Sequence, residues 1–194
     1  MHAGTLVTAM LRSQGSLVSS DSSARARLRE CVTAYFPAVH RFLRGLGVPP
    51  DALDDAAQDV FLVAVKRIDE VRPGAEKSYL FSTAVRVAHA VRRRYVREQP
   101  TDDIEEAAGE SGAVSPDALV DQKRAGALLA SLLSGLSEEL RSAFVLHEIE
   151  GMTLTEIAKI VDVPRATAAS RVRRAREEFQ RRLERHRKRS QGES

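Results

Sequence analysis

The sequence predicts an all-α protein of two small helical modules that are joined by a flexible acidic linker. Apolar residues recur at helical spacing, and few segments show the alternation of a half-buried strand. Charge is unevenly distributed: residues 1–97 carry 15 basic and 9 acidic side chains, whereas residues 98–122 carry 8 acidic side chains and none that is basic. Residues 123–194 carry 15 basic and 10 acidic side chains. This pattern favours two basic units with an acidic connector over one uniform globule.

Composition excludes several classes of protein. A hydrophobic content of 43% excludes a wholly disordered chain. No apolar run approaches the roughly 20 residues that a membrane-spanning helix needs, and residues 1–23 lack the apolar stretch of a secretory signal. Cys31 is the only cysteine and has no ligands clustered around it, so neither an internal disulfide nor a metal site is expected. We therefore expect a cytoplasmic protein with no membrane insertion, metal or cofactor.

The same patterns predict the boundaries of the modules. We expect a flexible N-terminal extension, a first helical module, an acidic linker, a second helical module and a short tail. In that order the predicted ranges are 1–23, 24–97, 98–116, 117–187 and 188–194.

Three helices are predicted in the first module. The first runs from about residue 24 to 46 and contains Pro37, which predicts a kink. The second runs from about 51 to 68. Its polar face is separate from its apolar stripe and consists of Asp54, Asp55, Gln58 and Asp59. The third begins at Lys77 or Ser78, is amphipathic at first, and becomes strongly basic before it ends at Arg97.

Helix signals continue in the second module. Ser115-Pro116 is typical of a helix start, Gly135 ends that helix, and Ser137 caps another over about 138–149. Thr153 and Glu156 form a capping box that opens a short helix.

A helix-turn-helix is the most informative feature of the chain. After the short helix, a tight turn at Asp162-Val163-Pro164 precedes a longer helix that begins near Arg165. Short helix, sharp turn and longer basic helix is the pattern of this DNA-binding motif. The alternative is a plain helical hairpin with a solvated basic face, but such a face usually interleaves acidic residues. Residues 165–176 contain five arginines and no Asp or Glu.

Two segments carry a family resemblance. Residues 136–176 resemble region 4 of the extracytoplasmic-function sigma factors of bacteria, with a matching stretch at Leu146–Ala158 that continues through the turn to Arg176. Asp54–Phe61 resembles the acidic segment of region 2 in that family. Tyr79–Phe81, followed by a helix that ends in Arg92–Arg94, resembles its promoter-melting helix. The matches keep the order of the family.

Several positions depart from the family pattern. Tyr79 stands where tryptophan is usual, Arg86 where asparagine is common, and Ala90 where aspartate is common. In region 4, Asp162 stands at the usual glycine of the turn and Ala169 at a frequent lysine. These departures concern the promoter sequence that is preferred rather than the fold.

The resemblance implies a sigma factor without catalytic residues, which binds core RNA polymerase and directs initiation at promoters. The residues implied for the duplex minus-35 element are Arg165, Thr167, Ser170, Arg171 and Arg174. Those implied for the melted minus-10 strand are Tyr79, Arg86, His89, Arg92, Arg93 and Arg94, and those implied for polymerase are Asp54, Asp55, Gln58 and Asp59. Promoter DNA in both forms is then a partner, and an anti-sigma factor is a further one.

Two other functions remain as alternatives. The chain could be a helix-turn-helix regulator that acts without being a polymerase subunit, although it has no signature of a ligand-binding or receiver domain. A nucleic-acid enzyme is the second alternative, but His147-Glu148 lacks the second histidine of a zinc-binding H-E-x-x-H motif.

Overall fold

A computed structural model of the protein describes residues 22–98 and 116–192, which contain seven α-helices and no strand. The N-terminal module consists of α1 (Ser22–Gly45), α2 (Leu53–Arg67) and α3 (Glu76–Glu98). The C-terminal module consists of α4 (Pro116–Ser134), α5 (Glu138–Phe144), α6 (Leu154–Ile160) and α7 (Arg165–Gly192). Within these residues the all-α prediction is confirmed. Residues 1–21 of the predicted extension and 99–115 of the predicted linker lie outside the described residues.

The three helices of the N-terminal module enclose an apolar core. The predicted apolar stripe of α2 is buried, and the rings of Phe42 on α1 and Phe81 on α3 lie 5.0 Å apart. α1 continues through Pro37, which lies on its exposed side. Short 3-10 turns at Pro50–Ala52 and Ile68–Glu70 flank α2.

In the C-terminal module, α5 and α6 pack against α7. The rings of Phe144 and Phe179 stack at 4.7 Å. The predicted capping box is present, since Thr153 N donates to Glu156 Oε2 at 2.8 Å and Glu156 N donates to Thr153 Oγ1 at 3.3 Å. The helix predicted over 138–149 changes form midway, because Val145–Ile149 is a π-helical segment.

The turn between α6 and α7 requires an unusual backbone conformation. Asp162 has a φ of +51° and is the only described residue other than glycine with a positive φ. Left-handed backbone costs most L-residues about 1–2 kcal/mol, and Asp and Asn tolerate it better than other side chains. This left-handed backbone explains why glycine is usual at the position in the family that the chain resembles.

The two modules pack directly against each other. Buried apolar side chains of both modules form one continuous cluster. Where the modules meet, the end of α1 approaches the start of the π-helical segment so closely that a Cβ at Gly45 would lie 2.8 Å from Val145 Cγ1. Only glycine at that position allows this approach.

Arg141 is a buried link between the modules, with 2% of its surface exposed. Its guanidinium donates to the carbonyls of Leu133 at 2.7 Å, Ser134 at 2.6 Å and Leu136 at 3.1 Å, where α4 ends. It also donates to the carbonyl of Leu46 at 3.0 Å, just beyond α1. Burial lowers the pKa of Arg141 to about 10, so it stays protonated at neutral pH.

We expect Arg141→Met to lower the free energy of unfolding by about 2–4 kcal/mol, because it leaves buried carbonyl acceptors without donors. Urea unfolding followed by circular dichroism measures the change. Arg187→Met, at an exposed position of α7, is the matched control and should change stability by less than about 0.5 kcal/mol. Equal stability of the two variants would contradict the buried role of Arg141.

We expect Asp162→Gly to raise stability by about 0.5–1 kcal/mol, because glycine adopts the left-handed conformation without strain. Asp162→Val should lower it by about 1–2 kcal/mol, because a β-branched residue is strongly disfavoured there. Thermal unfolding of both variants measures the effects. The same direction of change in both would argue against backbone strain as the cause.

Candidate nucleic-acid interface

One face of α3 is open to solvent and cationic. Tyr79, Arg86 and Arg93 are spaced by seven residues, about two helical turns, and therefore lie on the same face. Arg86 and Arg93 are exposed, and the half-buried ring of Tyr79 packs against the core. Arg94 is also exposed. Phe81 is buried and is not available to a base.

The other two residues that were predicted for the melted strand turn towards the C-terminal module. Arg92 Nη1 lies 3.2 Å from Glu138 Oε1, and His89 Nε2 lies 3.7 Å from Glu138 Oε2. Burial lowers the pKa of His89 more than the nearby Glu138 raises it, so its ring is mainly neutral at neutral pH. The six residues predicted from the sequence are thus divided between an open face and the module interface.

The residues predicted for duplex DNA lie on the first three turns of α7. Thr167, Ser170 and Arg174 follow one another at spacings of three and four, which places them on one side of the helix. Arg165 and Arg174 are exposed, and Ser170 Oγ donates to the carbonyl of Thr167 at 2.9 Å. This side of α7 is therefore available to a groove of DNA.

Arg171 occupies a different environment from the rest of that set. Its side chain is 21% exposed, and Nη2 lies 3.3 Å from Oε1 of Glu139 on α5. Its guanidinium is therefore held at the edge of the duplex-facing side.

The face predicted for polymerase lies on α2 and is acidic. Asp54, Asp55 and Asp59 are exposed, and Gln58 is half-exposed. His40 Nε2 lies 3.1 Å from Asp54 Oδ1 at one end of the face. Such a surface suits a basic partner.

The residues that join the modules were not apparent from the sequence. Every ion pair between the modules in the described residues has its cation on the N-terminal module and its carboxylate on the C-terminal one. The pairs are Arg41–Glu150 at 2.8 Å, Lys77–Glu156 at 3.8 Å and Arg92–Glu138 at 3.2 Å. The mainly neutral ring of His89 also lies 3.7 Å from Glu138. The excess of basic residues in the first module was visible in the sequence, but it does not reveal which carboxylates they meet.

Other kinds of site are not found in the part of the chain that the structure describes. No group of three or more His, Cys, Asp or Glu side chains there could hold a metal ion. None of its helices is long and apolar enough to span a membrane.

Comparison with known proteins identifies two families of domain in the chain. The family model described as sigma-70 region 2 matches residues 31–98, and the model described as sigma-70 region 4 matches residues 127–179. The ECF RNA polymerase sigma-E factor of Escherichia coli strain K12 is 30% identical over 139 residues, which cover 67% of this chain and 73% of that protein.

Solved structures share the fold. CnrH in complex with the cytosolic domain of CnrY has a TM-score of 0.63 at 22% identity, over 82% of this chain and 89% of that one. The sigma factor RpoE in complex with the anti-sigma factor NepR, from Bartonella quintana, has a TM-score of 0.62 at 23% identity, over 80% of this chain and 96% of that one. Together with the two matched regions and the identity to sigma-E, this places the chain in the extracytoplasmic-function sigma factors of the sigma-70 family.

Proposed function

We propose that this protein binds core RNA polymerase and directs it to promoters, with α7 reading the minus-35 duplex and α3 holding the melted minus-10 strand. The observation that carries this proposal is the presence of two separate cationic surfaces on the matched regions. One lies on a helix-turn-helix, and the other lies on a helix that presents both charge and an aromatic ring.

The exposed side of α7 has the chemistry of a recognition helix. The N-terminal residues of such a helix reach base edges in the major groove. Arginine there reads guanine through two hydrogen bonds, and hydroxyl groups contact bases or phosphates. Arg165, Thr167 and Arg174 supply these groups on the accessible part of the helix. Ser170 needs only to exchange its internal hydrogen bond for one to DNA.

The open face of α3 has the chemistry of a single-strand binding surface. Proteins hold melted strands by combining cations along the backbone with aromatic rings on which bases stack. Arg86 and Arg93 provide the charge at a spacing of two helical turns, and Tyr79 provides the ring.

The acidic face of α2 is our candidate for the polymerase contact. In this family the corresponding segment is expected to meet the clamp helices of the largest polymerase subunit. The exposed carboxylates of Asp54, Asp55 and Asp59 would attract a basic surface, and this attraction would weaken as the salt concentration is raised.

We further propose that an anti-sigma factor controls this protein. Support comes from the fold shared with RpoE, which was solved in complex with the anti-sigma factor NepR. We place the protein in the cytoplasm, where polymerase is found, and assign it no catalysis of its own.

The function is tested by transcription in vitro with core polymerase, the purified chain and a library of genomic fragments from the source bacterium. We expect new start sites that share a two-block motif upstream. If the chain binds duplex DNA alone and no start site depends on it, the protein is an independent helix-turn-helix regulator instead.

We expect Arg174→Ala to reduce promoter use in that assay. A base-reading arginine costs about 1–3 kcal/mol of binding at one position, whereas a phosphate-binding arginine weakens all sequences alike and flattens the salt dependence. Arg187→Ala, near the exposed end of α7, is the control and should retain activity. Equal activity of the two variants would remove Arg174 from the interface.

We expect the double substitution Asp55→Lys and Asp59→Lys to abolish binding to core polymerase, because it reverses the charge of the α2 face. Both positions are exposed, but Asp55 lies in the first turn of α2 and loses a favourable interaction with the helix dipole, so the free energy of unfolding should fall by up to about 1 kcal/mol. Size-exclusion chromatography with core polymerase measures complex formation. Full binding by the variant would show that α2 is not the contact.

A further inference from the structure

α7 continues past the end of the match to sigma-70 region 4. The match ends at residue 179, whereas the helix runs to Gly192. Residues 180–192, which we call the α7 extension, include six arginines or lysines but only one carboxylate, that of Glu184. From residue 184 to 190 every side chain is exposed. The extension is therefore a strongly cationic surface on a part of the helix that the matched region does not include.

The base of the extension is anchored to the C-terminal module. Arg182 Nη2 donates to the carbonyl of Gly135, where α4 ends, and to Oε1 of Glu178 at 2.8 Å. A Cβ at Gly135 would overlap the guanidinium of Arg182, so the end of α4 and this arginine fit closely. The extension therefore keeps a fixed direction relative to the first turns of α7.

Three cations of the extension lie on the duplex-facing side of α7. Arg181, Arg185 and Lys188 follow Arg174 at a spacing that places them within about 40° of it around the helix axis. Arg181 Nε donates to the carbonyl of Glu177, and Arg185 Nε donates to that of Arg181, both at 3.3 Å. These contacts align both arginine side chains along the helix. Among the described residues, their terminal Nη groups have no partner.

The two carboxylates between Arg174 and the extension are already paired. Glu177 Oε1 lies 2.6 Å from Nη1 of Arg173, and Glu178 Oε1 lies 2.8 Å from Nη2 of Arg182. They therefore do not offset the cations that follow Arg174 on the same side of the helix.

Stabilisation of the helix end does not account for these cations. A basic residue interacts with the helix dipole within the last turn, and Arg189 occupies that position. Arg185 and Arg181 lie about two and three turns before the helix end. The placement of these two arginines therefore favours a binding role.

The length of this cationic side suits duplex DNA. Thr167 and Arg174 lie about 10 Å apart along the helix axis, close to the major-groove width of about 12 Å. Lys188 lies about 21 Å further along. If the side of α7 lies in the groove, its extension crosses the sugar-phosphate backbone at the edge of the groove. Each strand there carries a phosphate about every 3.4 Å.

We propose that the α7 extension binds the phosphate backbone beside the minus-35 element through Arg181, Arg185 and Lys188. Phosphate contacts carry no direct sequence information, but they add affinity and fix the register of the protein on the duplex. The extension thus holds the recognition residues of α7 in place over their base pairs. This inference rests on the proposed function, which places the first turns of α7 in the duplex.

The test is the affinity of the free full-length chain for a DNA duplex of random sequence. Fluorescence anisotropy at several salt concentrations measures it, and the exposed extension needs no polymerase to be accessible. Arg185→Gln should bind several-fold more weakly, and its slope of log K against log salt should be shallower by about 0.9, the value for one phosphate contact. Substitution of Arg181, Arg185 and Lys188 together by glutamine should flatten the slope by up to about 2.7.

Arg187→Gln is the matched control. Arg187 is also an exposed arginine of the extension and is only two residues from Arg185, but it lies about 140° from Arg174 around the helix axis. Its variant should keep the affinity and the slope of the unsubstituted chain. An equal loss in Arg187→Gln, or an unchanged slope in the triple variant, overturns the proposal.

Transcription with core polymerase separates this proposal from the proposed function. If the triple variant binds duplex DNA normally but forms less complex with polymerase, the extension contacts an acidic protein surface and the proposal is wrong. Start sites that depend on the chain, together with an unchanged slope in the triple variant, keep the proposed function and refute the phosphate contact. The expected loss of slope in a chain that supports no start site keeps the phosphate contact and refutes the proposed function.

Discussion

The buried guanidinium of Arg141 joins the end of α4 to the end of α1, and the rest of the structure depends on this link. Its guanidinium satisfies carbonyls at the end of α4 and the carbonyl of Leu46, so one side chain fixes both the start of α5 and the distance between the modules. Helix ends leave carbonyl groups without partners inside the helix, and a buried cation is a strong donor for them. The orientation of α5 follows from that arrangement, and α7 packs on α5.

The electrostatics of the interface follow the division of charge along the chain. Basic residues of the N-terminal module, which suit nucleic acid, meet carboxylates at or near the starts of α5 and α6 or at the end of the π-helical segment. Carboxylates at helix starts are stabilised by the helix dipole, and Glu156 also completes a capping box that lowers its pKa. These carboxylates near the helix ends of the C-terminal module therefore also bind the N-terminal module.

Local features were predictable from the sequence because each depends on neighbours in the chain. The capping box at Thr153, the stripe of α2 and the helix-turn-helix all have short-range signals, and the structure contains them. The contact between the modules joins residues that are far apart in sequence, such as Arg41 and Glu150. No periodicity encodes that pairing. The sequence therefore could not show that His89 and Arg92 face the C-terminal module and not the open face of α3.

The contact at Gly45 limits the size of the side chain that fits between the modules, in addition to the ion pairs that join them. Its α-hydrogen occupies the space between α1 and Val145, and there is no room for one additional carbon atom. Salt and pH act on the ion pairs, but neither acts on this contact. Steric fit and electrostatics are therefore independent controls over how closely the modules approach. A single methyl group at position 45 would shift that balance with no change in the net charge of the protein.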